Sequence, residues 1–86
     1  VSQEINKHVV QAIVEVALLL EFSGEEAINP DAAVQALEQL ASALQMADSE
    51  TKSSLCSQFE KIAMEYSDEQ AEFVAGLGEA LGLIEE

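Results

Sequence analysis

One imidazole, one thiol and a surplus of carboxylates are the groups through which this chain could do chemistry. His8 is its one histidine and Cys56 its one cysteine, against 17 Asp and Glu. A serine nucleophile needs a base beside it, and His8 is the one histidine that could serve. No spacing sets Ser23, Ser49 or another serine next to it. A transition-metal site would have to add distant carboxylates to His8, since no second imidazole or nearby thiol is available. His8 therefore reads as a surface residue. Cys56 lies inside a helical pattern and reads as a small core or boundary residue. A lone cysteine forms no intramolecular disulfide, which fits a reducing compartment.

The carboxylates include two adjacent pairs, Glu25-Glu26 and Asp68-Glu69. Glu65, Asp68, Glu69 and Glu72 also fall at helical spacing around one junction. Two carboxylates can divide acid and base roles, but they need a cleft, and a small bundle has little room for one. Neither 21–31 nor 48–60 has the alternating oxygen ligands, central Gly and closing Glu of a calcium loop. Gly76-Leu77-Gly78 lies in a helical pattern and is no phosphate loop. The sequence thus predicts no catalytic residue, metal or cofactor, and a chain that is not an enzyme.

The elements that would position these groups are helices. Val9 to Leu20 is apolar except at Gln11 and Glu15, which form one polar stripe with Glu4 and His8. A helix with so narrow a stripe is covered on most of its circumference, by its own chain or a second copy. It is predicted over about 2–22. Ile5, Val9, Ala12, Ile13, Val16, Ala17 and Leu20 form its core face, with Val10, Val14 and Leu18 as a second line for a partner copy. Ser23-Gly24 should end it through a left-handed glycine. Asn29 caps a second helix over 30–46, with Pro30 first and Asp31 facing the positive end of the dipole. Val34, Leu37, Leu40, Ala41 and Leu44 give its apolar face.

Asp48 or Ser49 caps a third helix over 49–66, apolar at Leu55, Phe59, Ile62, Ala63 and Tyr66. Lys52, Ser53, Ser54 and Ser57 read as its solvated back. Ser67 and Gln70 make a capping box for a fourth helix, 68–81, with Phe73, Val74, Leu77 and Leu81 inward. Gly76 and Gly78 each cost about 1 kcal/mol there and read as close packing on the first helix or as a bend. Gly82 ends it. Short connections favour antiparallel neighbours. The expectation is one all-α domain, 1–86: a compact antiparallel bundle of four helices, the first central, with a radius of gyration of about 12 Å.

Charge supplies the functional reading. Three lysines (Lys7, Lys52, Lys61) leave a net charge of -14, and a hydrophobic content of 49% argues for a folded chain despite it. Such a field repels nucleic acid and anionic membranes and draws in a basic partner. The apolar runs are too short to span a bilayer, and no basic segment precedes them as in a signal peptide, so the cytoplasm is the expected location. Capping accounts for Asp31, Asp68 and Glu69, whereas Glu65 near a helix C-terminus opposes the dipole. The first candidate contact surface is therefore Glu65, Tyr66, Asp68, Glu69 and Glu72, with the Tyr66 ring as anchor. The alternative is Glu21, Glu25, Glu26 and Asp31 around the first loop.

Two families of small acidic helical proteins bear comparison. Acyl carrier proteins carry their prosthetic group on the serine of an Asp-Ser-Leu motif opening the second helix. Here Asp48-Ser49-Glu50 opens the third and lacks the leucine. In size, charge and helical class, including Tyr66 to Val74 and Glu79 to Leu83, the chain resembles bacterial immunity proteins, which neutralise the toxic effectors of competing cells. That resemblance implies a basic toxin as partner, its active site or basic surface occluded by acid. It transfers no binding residues. The alternative is a homo-oligomeric structural or adaptor module, dimerising through the first helix.

Overall fold

In the computed structural model, residues 5–24 and 26–84 are described, and they form five helices with no strand among them. These are α1 (Lys7–Phe22), α2 (Pro30–Gln45), α3 (Ser49–Ala63), α4 (Asp68–Ala75) and α5 (Leu77–Ala80). The radius of gyration is 12.8 Å.

α1 starts later than the apolar pattern suggests. Asn6 caps it, its side-chain oxygen accepting the His8 N–H at 2.7 Å. Positions 2–4 of the expected helix, with Glu4, lie outside the described residues. Ahead of the cap, Ile5 is held on α3: its N–H donates to Ser54 Oγ (3.2 Å) and its carbonyl accepts from Gln58 Nε2 (2.7 Å). Ser54, expected on a solvated back, is half-buried for that reason. At the other end Ser23 turns extended (φ -73°, ψ 138°) and donates to Leu19 O, so α1 stops without the left-handed glycine expected at Gly24.

The core corrects the face expected of α1. Val10, Val14 and Ala17 are buried, together with Leu55, Phe59, Ile62 and Ala63 of α3, Val74 of α4, Leu77 of α5, and Leu81 and Leu83 beyond it. Val9, Val16 and Leu19 stay exposed. Each residue turns a helix by about 100°, so clamping Ile5 to Ser54 and Gln58 sets which line of α1 meets α3. Val10 and Val14, expected to be free for a second copy, are core residues.

The single helix expected over 68–81 is two, because Gly76 ends α4 and caps α5. Gly78 packs against α3, not α1: a Cβ there would lie 2.5 Å from Cys56 Sγ. After α5, Gly82 is left-handed (φ 73°), its N–H bonding Glu79 O (3.0 Å) while Leu83 N–H bonds Gly78 O (2.8 Å). That pair of bonds is the Schellman cap, and the buried Leu83 supplies its apolar contact. The capping box at α4 does not form: the Ser67 side chain makes no cap bond, and Asp68 sits at φ 54°. α3 ends at Ala63, three residues early, in a turn closed by Tyr66 N–H on Ala63 O.

α2 follows its sequence signals at the start, where Asn29 Oδ1 accepts from Asp31 N–H (2.8 Å) and Ala32 N–H (3.2 Å). It packs chiefly on α1 and buries only Ala33. Its far end is tied by Gln45 Nε2 donating to Leu81 O at 2.9 Å. α1 contacts α2 as well as α3 and α4.

Candidate interaction surfaces

Three surfaces compete for a functional role. The first is the α3–α4 junction. Glu65, Asp68, Glu69 and Glu72 are all exposed there. Tyr66 is half-buried against the core, and its hydroxyl accepts from Gln11 Nε2 at 3.3 Å. Gln11 also reaches Glu15 Oε2 at 3.3 Å, so the polar stripe of α1 serves to hold the tyrosine. Part of the ring is thus committed to the fold. Glu65 shares a hollow of about 250 Å³ with Lys7 and Lys61, two of the three lysines. Positive charge is mixed into this acidic surface.

The second surface lies where α1 hands over to α2. Glu21, Glu26 and Asp31 are exposed, and Glu25 falls outside the described residues. Because α2 leans mainly on α1, two hollows open along it. One, of about 230 Å³, reaches from Val34 and Leu37 across to Phe73 and Leu81, with Glu21 and Glu38 also on its lining. The other, of about 290 Å³, runs under the loop past Leu20, Ile28 and Ala33. Glu21, Val34 and Leu37 line both, so the two hollows adjoin and together make a groove along α2. No lysine lines it. Phe73 is braced at this end by Phe22, ring edge to face, with centroids 5.6 Å apart at 88°. Sequence reasoning missed Glu38 and Val34 as surface features. It assigned Val34 to a core face, and Val34 is 57% exposed.

The third surface is the uncovered side of α1. Val9, Ala12, Val16 and Leu19 are all exposed and recur at three- and four-residue steps, the spacing of a helix–helix seam.

Chemical reactivity is sparse on all three. Burial, and then the charge of Glu60, push the half-buried Cys56 thiol above its ordinary pKa, which keeps it protonated at neutral pH. His8 is exposed. Among the described residues no group of three or more His, Cys, Asp or Glu could hold a metal ion. No described helix is long and apolar enough to cross a membrane.

The chain matches no protein-family model, no curated protein and no solved structure.

Proposed function

We propose that the chain is a non-catalytic binding protein that captures a basic partner, in the manner of an immunity protein occluding a toxic effector enzyme. One observation carries this reading. Between Lys7 and Lys52 the chain has eight carboxylates and no lysine or arginine, and that stretch forms most of α1, the first loop and α2. A surface of one sign steers an oppositely charged partner and raises its on-rate. The α1–α2 side suits this role better than the α3–α4 junction, where Lys7 and Lys61 share a hollow with Glu65. The lone cysteine supports a reducing, cytoplasmic setting. The reading also takes the helices as an antiparallel bundle, which the short connections favour.

The test is an affinity capture from the native source at low salt, a high-salt release, and kinetics on whatever basic protein is released. The on-rate should fall steeply with salt. Reversing charge at Glu21, Glu26 and Asp31 should slow it more than reversing Glu65, Asp68, Glu69 and Glu72. Unchanged kinetics in both variants would remove the acidic surface from the account.

A second reading has its own observation. The exposed Val9–Ala12–Val16–Leu19 stripe suits an isologous dimer of α1 helices. Val16→Glu would then convert a sedimenting dimer to monomer without unfolding it. A wild-type chain that sediments as monomer at high concentration defeats this reading. Val10 or Val14 cannot serve in that experiment, because both are fully buried.

A further inference from the structure

We infer that the groove between α1, α2 and the α4–α5 end takes a cationic amphipathic helix from the partner, its apolar residues in the groove and its basic residues on the acidic rim. This rests on the reading of the chain as a captor of a basic protein and names the chemistry of the contact.

The part of the groove between α2 and the α4–α5 end is apolar along its floor, with Val34, Leu37, Phe73 and Leu81 contributing. Glu21 and Glu38 are the charged groups on its lining, and both are exposed. An apolar floor with a rim of one sign selects an occupant that is apolar on one face and cationic beside it. A second copy of the chain does not suit this groove, since its three lysines offer no cationic face to set against Glu21 and Glu38. A free anion or nucleic acid fails for the same reason. Along α2 the lining extends from Pro30 to Ala41, which at about 1.5 Å per residue is roughly 16 Å, three turns of an opposing helix. Helix-in-groove recognition reads anchors at three- and four-residue steps over such a length.

The groove is also prepared. Phe73 is held by Phe22, and the lower end of α2 is fixed by the Gln45–Leu81 bond, so neither wall has to be ordered on binding. Less ordering means less entropy lost and more affinity per contact.

The experiment titrates labelled protein with a helix-forming peptide of about 18 residues, Leu on one face and Lys elsewhere, and with an analogue carrying Ser for Leu. Amide shifts should concentrate in α2 and at Phe73 to Leu81. The Leu peptide should bind about tenfold tighter than the Ser peptide, the equivalent of one modest apolar anchor. Val34→Ser, at an exposed position, should remove most of that advantage while leaving thermal unfolding unchanged. Glu38→Lys should weaken both peptides and flatten their salt dependence. Equal affinity for the two peptides would overturn the groove and leave capture by charge standing. Shifts confined to Val9–Leu19 would also overturn it, placing the peptide on the α1 stripe. No binding of either peptide would overturn both the groove and the reading beneath it.

Discussion

α2 and α3 are nearly the same length, 16 and 15 residues, and each opens on an Asx cap. By composition α2 is the more apolar of the two. Yet α3 buries Leu55, Phe59, Ile62 and Ala63, and α2 buries Ala33 alone. α3 is packed on by α1, α4 and α5, whereas α2 rests mainly on α1. Amphipathic patterning says that a face is apolar; it does not say that the chain has enough other surface to cover it. In a chain of 86 residues a helix can be left partly covered, as α2 is at Val34 and α1 is along Val9, Val16 and Leu19. An apolar face kept without cover is the ordinary signature of a binding surface.

The difference is broken most forcefully at Phe59, which is fully buried. Phe59→Ala should cost about 3–5 kcal/mol, enough to unfold much of a domain this small. Denaturant titration measures it. A loss under about 1 kcal/mol would mean that α3 is no more central than α2.

Next in size is Gly78→Ala. Its new Cβ would stand 2.5 Å from Cys56 Sγ and 3.2 Å from Cys56 Cβ, forcing α5 off α3. Overpacking of this kind costs about 1–3 kcal/mol. Cys56→Ala in the same chain should restore part of the loss, and a double-mutant cycle would show the coupling. Strict additivity would disconnect the two residues. A smaller effect is expected at the start of α2. Asn29→Ala should cost about 1 kcal/mol by freeing the N–H groups of Asp31 and Ala32. Hydrogen exchange should then show α2 opening well before α3, since few buried contacts hold it. Equal protection of the two helices would contradict their contrast.

Much of this was legible in the residues. The helices of 30–45 and 49–63 begin where Asn29-Pro30 and Asp48 announce them, because caps act locally and are written beside the helix they start. What the pattern could not give was rotation and cover. Val9 and Val10 are equally apolar and adjacent, and which one faces the core depends on how Ile5 is clamped by Ser54 and Gln58, some fifty residues away. Gly76 and Gly78 marked trouble in the last helix, but only packing decides that one breaks it and the other admits Cys56. The acidic clusters were visible as charge. That Tyr66 is bonded by Gln11, and that Lys7 shares a hollow with Glu65, bring together distant parts of the chain. The groove escaped notice because Val34, Leu37, Phe73 and Leu81, which form its apolar part, are residues that periodicity assigns to a core.

The caps themselves give the finest version of the comparison. Asn29 does not titrate, and Asp48 does. Hydrogen bonds donated to the carboxylate by Thr51, from its side-chain hydroxyl and then from its backbone N–H, hold the Asp48 carboxyl below its ordinary pKa of 3.8. A folded-state pKa lowered in this way contributes stability that is present above pH 3.8 and lost as the pH falls through the folded value. Acidification should therefore fray the start of α3 and spare the start of α2. Global stability is the wrong readout, because self-repulsion in a chain of net charge -14 also changes on acidification and acts in the opposite sense. The local one is exchange at the Thr51 amide, which donates to Asp48 Oδ1 at 2.8 Å. Its protection should drop below pH 3.8 while that of Ala32 holds. Asp48→Asn keeps an accepting oxygen without a proton to gain, so it should abolish the pH dependence at Thr51 and leave the helix capped. A Thr51 profile unchanged by that substitution would mean that another group controls the acid response of α3.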